Sequence, residues 1–110
     1  MRGRSLGLIA ASLLVVTPIL AFAGDKGPAT IDLKAKYGIT GSKSAVIFPH
    51  AMHQSKLTCD KCHTSAAGGK LKFDIVKKEG IMNDFHSKMC WPCHTAMKVP
   101  KGKACATCHK

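Results

Sequence analysis

Three copies of Cys-x-x-Cys-His run through the sequence, at Cys59-Asp60-Lys61-Cys62-His63, Cys90-Trp91-Pro92-Cys93-His94 and Cys105-Ala106-Thr107-Cys108-His109, and they use all six cysteines. The spacing suits covalent haem attachment: two thiols add to the two vinyl groups of one porphyrin, and the adjacent imidazole reaches its iron from one face. Cys59 and Cys62, Cys90 and Cys93, and Cys105 and Cys108 are therefore read as tethers of three covalently bound c-type haems, each with one axial ligand from His63, His94 or His109. Any fold of this chain has to be arranged around three attachment sites. The repeat is not that of a solenoid, because 27 residues separate Cys62 from Cys90 and only 11 separate Cys93 from Cys105.

Two other chemistries use paired cysteines. Thiolates at this spacing suit tetrahedral zinc, yet six cysteines divide awkwardly among four-ligand sites, and zinc gives no reason for a histidine after every pair. Disulfides within each pair would close loops too small to stabilise much.

Three histidines lie outside the motifs, His50, His53 and His86, and they equal the irons in number. The stoichiometry suggests six-coordinate irons with two histidines each. Against it stands the reading of these three as ordinary surface or capping residues. Methionine is the rival sixth ligand, offered by Met52, Met82, Met89 and Met97, and it would raise the reduction potential. Phe48 and Trp91 read first as packing around the macrocycles and only second as electron relays.

The chain opens with Arg2 and Arg4, an apolar run from Leu6 to Phe22, and an Ala21-Phe22-Ala23 ending. These are the three parts of a secretory signal peptide, residues 1–23, removed after Ala23. The competing reading is an uncleaved anchor, for which the run is barely long enough. Residues 24–110 then form a single three-haem domain, exported and without stable membrane insertion. That domain is poor in Val, Ile, Leu and Phe and rich in lysine, a composition usually found in disordered chains. Three flat apolar cofactors with their thioether and iron–nitrogen bonds would provide the missing core, so the haem-free polypeptide is expected to be largely unfolded.

The formal net charge of +11 falls to +9 once Arg2 and Arg4 are set aside with the leader. Nucleic acid is a poor match for an exported protein whose lysines are scattered. The charge is left to keep the surface solvated or to steer acidic docking faces of redox partners.

Along the mature chain, Ile31, Leu33, Ala35 and Tyr37 alternate with Asp32, Lys34 and Lys36, which predicts a strand. With the β-prone run Ser44 to Phe48 it would make a short N-terminal two-stranded antiparallel hairpin, joined through Gly38, Gly41 and Ser42. Pro49 marks a helix start that sets His50 and His53 three apart on one face. Gly68-Gly69 reads as a loop and Lys70 to Lys78 as a strand or extended segment. Asn83 is a cap for a helix from Asp84 through the second motif, with His86 one turn before Cys90. The rest is expected to be irregular, giving a small, mostly irregular and α fold.

Phe48-Pro49-His50-Ala51-Met52-His53-Gln54, followed by the three motifs and by His86 four residues before Cys90, resembles the class III multihaem cytochromes c, and among them the three-haem cytochrome c7 type found in the periplasm of sulfur- and metal-reducing bacteria. The chain differs from the four-haem cytochrome c3 pattern in having no motif between His63 and His86, and it carries a long segment there. The resemblance implies a cytochrome c3-like multihaem fold with the haems as core. It also implies axial pairs of His50 with His63, His53 with His94, and His86 with His109.

Two imidazoles on each iron would leave no position for a substrate or oxygen, which argues for electron transfer over catalysis at iron. The resemblance implies a monomeric, low-potential periplasmic carrier between inner-membrane quinol-oxidising proteins and terminal or outer-membrane reductases. The alternative is a direct, unspecific reductase of metal ions or sulfur at exposed haem edges.

Overall fold

The computed structural model describes residues 26–110. The leader expected over residues 1–23 lies outside the described residues, with Gly24 and Asp25.

The first element is an antiparallel strand pair. β1 (Ile31–Asp32) lies beside β2 (Ile47–Phe48), with Ile31 opposite Phe48 and Asp32 opposite Ile47. The alternation from Ile31 to Tyr37 predicts a longer strand, and here the structure differs: Leu33–Tyr37 wind into a helix, α1. Leu33 and Tyr37 share a helical face as readily as a strand face. The ends decide between the two, since Asp32 Oδ1 accepts the Ala35 N–H at 2.9 Å as an N-cap and Gly38 ends the helix in the left-handed region at φ 61°.

Pro49 then starts α2 (His50–Lys56), the longest α-helix among the described residues at seven residues. A single 3-10 turn at Cys59–Lys61 carries the first motif into β3 (His63–Ser65). β3 pairs antiparallel with β4 (Gly68–Leu71), with His63 opposite Leu71 and Ser65 opposite Gly68. Gly68 and Gly69, read from sequence as a loop, instead open this strand at φ 92° and 86°, values that suit glycine.

After β4 the chain is extended and tied at both sides. Asp84 Oδ2 accepts the N–H groups of Val76 and Lys77 at 2.8 and 2.9 Å, and Asp84 Oδ1 lies 3.2 Å from Lys88 Nζ. Glu79 Oε1 accepts from Thr40 N–H, Thr40 Oγ1 and Gly41 N–H at 2.9, 2.8 and 3.0 Å. Asn83 caps as its sequence position suggests, its Oδ1 accepting the His86 N–H at 3.0 Å. The helix it opens is wound as a π turn over Phe85–Cys90, then as α3 over Trp91–Ala96. Pro92, in the first turn of α3, has no N–H to extend the preceding ladder, which coincides with the change of winding. A lysine-rich loop leads to α4 (Cys105–Cys108), and His109 makes an isolated bridge back to Val46 beside β2.

The polypeptide has almost no core of its own. Among the described residues one apolar side chain is buried, Phe85 at 6% exposure, with Tyr37 edge-on to it at 5.0 Å. No helix among them is long and apolar enough to cross a membrane.

Candidate functional site

The six histidines come from every part of the fold: His50 and His53 from α2, His63 from β3, His86 from the π turn, His94 from α3 and His109 from the end of α4. All six are half-buried. They are arranged in three facing pairs. The ring centroids of His50 and His63, of His53 and His94, and of His86 and His109 are each 6.3 Å apart. These are the pairs that the family resemblance implies. Two metal–nitrogen bonds of about 2 Å each account for about 4 Å of that separation, and the two half-rings for the remainder, so one metal atom fits midway between each pair.

The second nitrogen of every ring is also accounted for. Nδ1 lies against a backbone carbonyl in all six: His50 with Pro28 at 2.8 Å, His53 with Pro49 at 2.9 Å, His63 with Gly69 at 2.6 Å, His86 with Ile81 at 2.6 Å, His94 with Gly102 at 2.7 Å and His109 with Ser44 at 2.7 Å. A carbonyl oxygen only accepts, so Nδ1 carries the proton and donates it. Nε2 is left with a free lone pair, the tautomer a metal ligand needs, in an orientation fixed from outside.

The cysteines accompany the pairs. Cys59 and Cys62 line a cavity of about 430 Å³ with His50, His63 and Leu71, within the size range of small-molecule sites and walled largely by apolar side chains. Tethers, ligands and apolar walls thus meet in one place, and the donor set fits a covalently held haem. None of the six cysteines is in a disulfide. Burial raises the Cys62 thiol above its ordinary value, with Cys93 adding to the effect; burial pushes the Cys90 thiol up to about 11, with Cys108, Cys62 and Cys93 contributing.

The alternatives find less support in the geometry. Among the described residues no three His, Cys, Asp or Glu side chains gather as a metal-ion cage, as tetrahedral zinc would need. Each motif histidine already faces a histidine, so no methionine is required to complete a pair. Met52, Met82 and Met97 are exposed, and Met89 lines the cavity.

The aromatic residues touch the imidazoles directly. Phe48 lies 4.4 Å from His53 and 6.1 Å from His50, between the first two pairs. Trp91 stacks on His86 at 4.6 Å and 3°. The six carbonyls on Nδ1 are functional groups that sequence reading missed, and being backbone they leave no residue-type signal. Gly102 is the exception: a Cβ there would lie 2.8 Å from His94 Cβ, so only glycine brings its carbonyl so near that ring without a shift.

The family model described as cytochrome c7 and related cytochrome c matches residues 46–110, more than half of the chain, with all three motifs and all six histidines inside the match. No curated protein and no solved structure matches.

Proposed function

The chain belongs to the cytochrome c7 and related cytochrome c family, a family of electron-transfer cytochromes, and from that membership we propose that it is a three-haem electron carrier of the periplasm. In this reading Cys59 and Cys62, Cys90 and Cys93, and Cys105 and Cys108 tether the haems, and His50 with His63, His53 with His94, and His86 with His109 hold the irons. The observation that carries it is the equal 6.3 Å separation of the three imidazole pairs.

When bound, each haem supplies a one-electron iron(III)/iron(II) couple. The chain's own residues restrict how it is used. Paired imidazoles take both axial positions and leave none for substrate or oxygen, and two imidazoles favour a lower potential than an imidazole with a methionine. The six carbonyls on Nδ1 make the imidazoles better donors and fix their rings. His50 and His53, three residues apart on α2, serve the first and second pairs, so those two sites lie side by side and electrons cross a short gap between them.

Lys98, Lys101 and Lys103 line a hollow of about 390 Å³ beside His94. Such a basic rim suits brief, charge-guided contact with the acidic face of a redox partner. The donors are inner-membrane quinol-oxidising proteins and the acceptors terminal or outer-membrane reductases, served by a monomer that residues 1–23 export and that is cleaved after Ala23.

The test is mass spectrometry and an oxidised and reduced visible spectrum of the protein matured in a periplasm. A chain starting at Gly24, heavier by three haems, with low-spin bands in both states is the expected result. A different haem count, or a high-spin spectrum, would overturn the reading.

A further inference from the structure

The three imidazole pairs share a separation but not an orientation. Their planes meet at 67° for His50 and His63, 17° for His53 and His94, and 88° for His86 and His109. An axial imidazole turns easily about its bond to a metal, so its plane is set by what holds the ring from outside. For His86 there are two such holds: Nδ1 on the Ile81 carbonyl at 2.6 Å, and the indole of Trp91 lying flat on the ring at 4.6 Å and 3°.

That stack depends on the π turn. Residues five apart on an α-helix of 3.6 residues per turn sit about 140° apart around its axis and cannot face each other. Here the Trp91 N–H donates to the His86 carbonyl, an i to i+5 bond whose wider winding brings the two side chains to one side. Lys103 Nζ also lies over the indole, 5.4 Å from its centroid, within reach of a cation–π attraction. Trp91 belongs to the second motif, between Cys90 and Cys93, yet its ring acts on a histidine of the third pair.

We propose that Trp91 is a positioning residue for the third site: its indole, placed by the π turn, holds the His86 plane crossed against His109 and gives that iron an axial geometry unlike that of the His53 and His94 site. The proposal rests on the reading of the six histidines as axial ligands. Crossed imidazole planes leave the two upper orbitals of the three that hold the five d electrons of a low-spin iron(III) nearly equal in energy, while near-parallel planes split them. The third site is therefore expected to give the largest g value of the three, the first site the next and the second a rhombic signal.

Electron paramagnetic resonance of the oxidised three-haem protein, with haem-methyl proton shifts to assign each site, provides the test. The equivalent motif position holds Asp60 in the first motif and Ala106 in the third, so haem attachment tolerates Trp91→Ala. In Trp91→Ala the largest-g feature is expected to move to lower g, with the methyl shifts of the haem on Cys105 and Cys108 altered most. Trp91→Phe, which keeps a stacking ring, is expected to retain the feature. A Trp91→Ala protein with three haems and an unmoved largest-g signal would overturn the proposal. So would loss of the feature in Trp91→Phe with all three haems in place. Failure to find low-spin signals in the unaltered protein would overturn the ligand reading instead.

Discussion

The carbonyl oxygen of Gly102 lies 2.7 Å from Nδ1 of His94, and a methyl group on residue 102 would come within 2.8 Å of the His94 Cβ. The close approach is needed to give His94 its hydrogen-bond acceptor, and it is open only to a residue without a side chain. Gly102→Ala is expected to push the loop off His94 and to destabilise the protein by about 1–3 kcal/mol, the usual cost of overpacking. It should also lower haem loading at the second site. A fall in thermal midpoint together with a two-haem species in the mass spectrum would bear this out; unchanged stability and full loading would refute it.

If paired imidazoles close every iron, removing one should open one. His53 faces His94 with planes 17° apart, and its Nδ1 is held by Pro49 of its own helix. His53→Ala is expected to leave Cys90 and Cys93 able to attach their haem while converting that site to high spin. The reduced variant should then bind about one carbon monoxide per chain, against none in the unaltered protein. Carbon monoxide titration followed in the visible spectrum measures both, and equal binding by the two proteins would rule out His53 as a ligand.

Much of this site was legible in the sequence because covalent chemistry has a fixed grammar: the spacing from Cys59 to His63 does not depend on the fold around it. The geometry that finishes the site was not legible. The carbonyls of Pro28, Gly69, Ile81 and Ser44 meet histidines from 5 to 65 residues away, and a carbonyl has no residue type to read. The strand expected over Ile31 to Tyr37 failed for a different reason. Its alternation is also an i, i+4 pattern, and the Asp32 cap and the Gly38 stop settle the matter locally. The second hairpin was missed because Gly68 and Gly69 resemble loop residues, although Gly68 opens the strand whose Leu71 lies opposite His63 at the end of the first motif.

The long segment between the first two motifs is fastened by carboxylates, and one of them sets a pH dependence. The hydroxyl of Thr40, then its N–H and that of Gly41, hold the Glu79 carboxyl below its ordinary range. A carboxylate whose folded value is depressed contributes stability that is complete above its unfolded value, near 4.3. The contribution is lost as pH falls through the folded value. Glu79→Gln should therefore melt below the unaltered protein at neutral pH, with the gap closing below about pH 4. Melting curves at neutral pH and across that acid range test it, and a gap that widened on acidification would show that the sign is wrong.

The scarcity of buried apolar groups leads to the last expectation. Phe85 is the one buried apolar side chain among the described residues, and Tyr37 is its only aromatic partner there. One such cluster stabilises far less than the conformational entropy of ordering a domain of this length costs. In the proposed reading the tethers supply the rest, by closing loops in the unfolded chain and by surrounding apolar cofactors with half-buried groups such as Leu33, Leu57 and Leu71. A protein with all six cysteines changed to alanine is expected to lose most of its helical circular dichroism and to show no cooperative melting transition. Amide exchange should then be fast throughout, the β1–β2 pair included. A cooperative melt in that variant would mean that the chain folds without its cofactors.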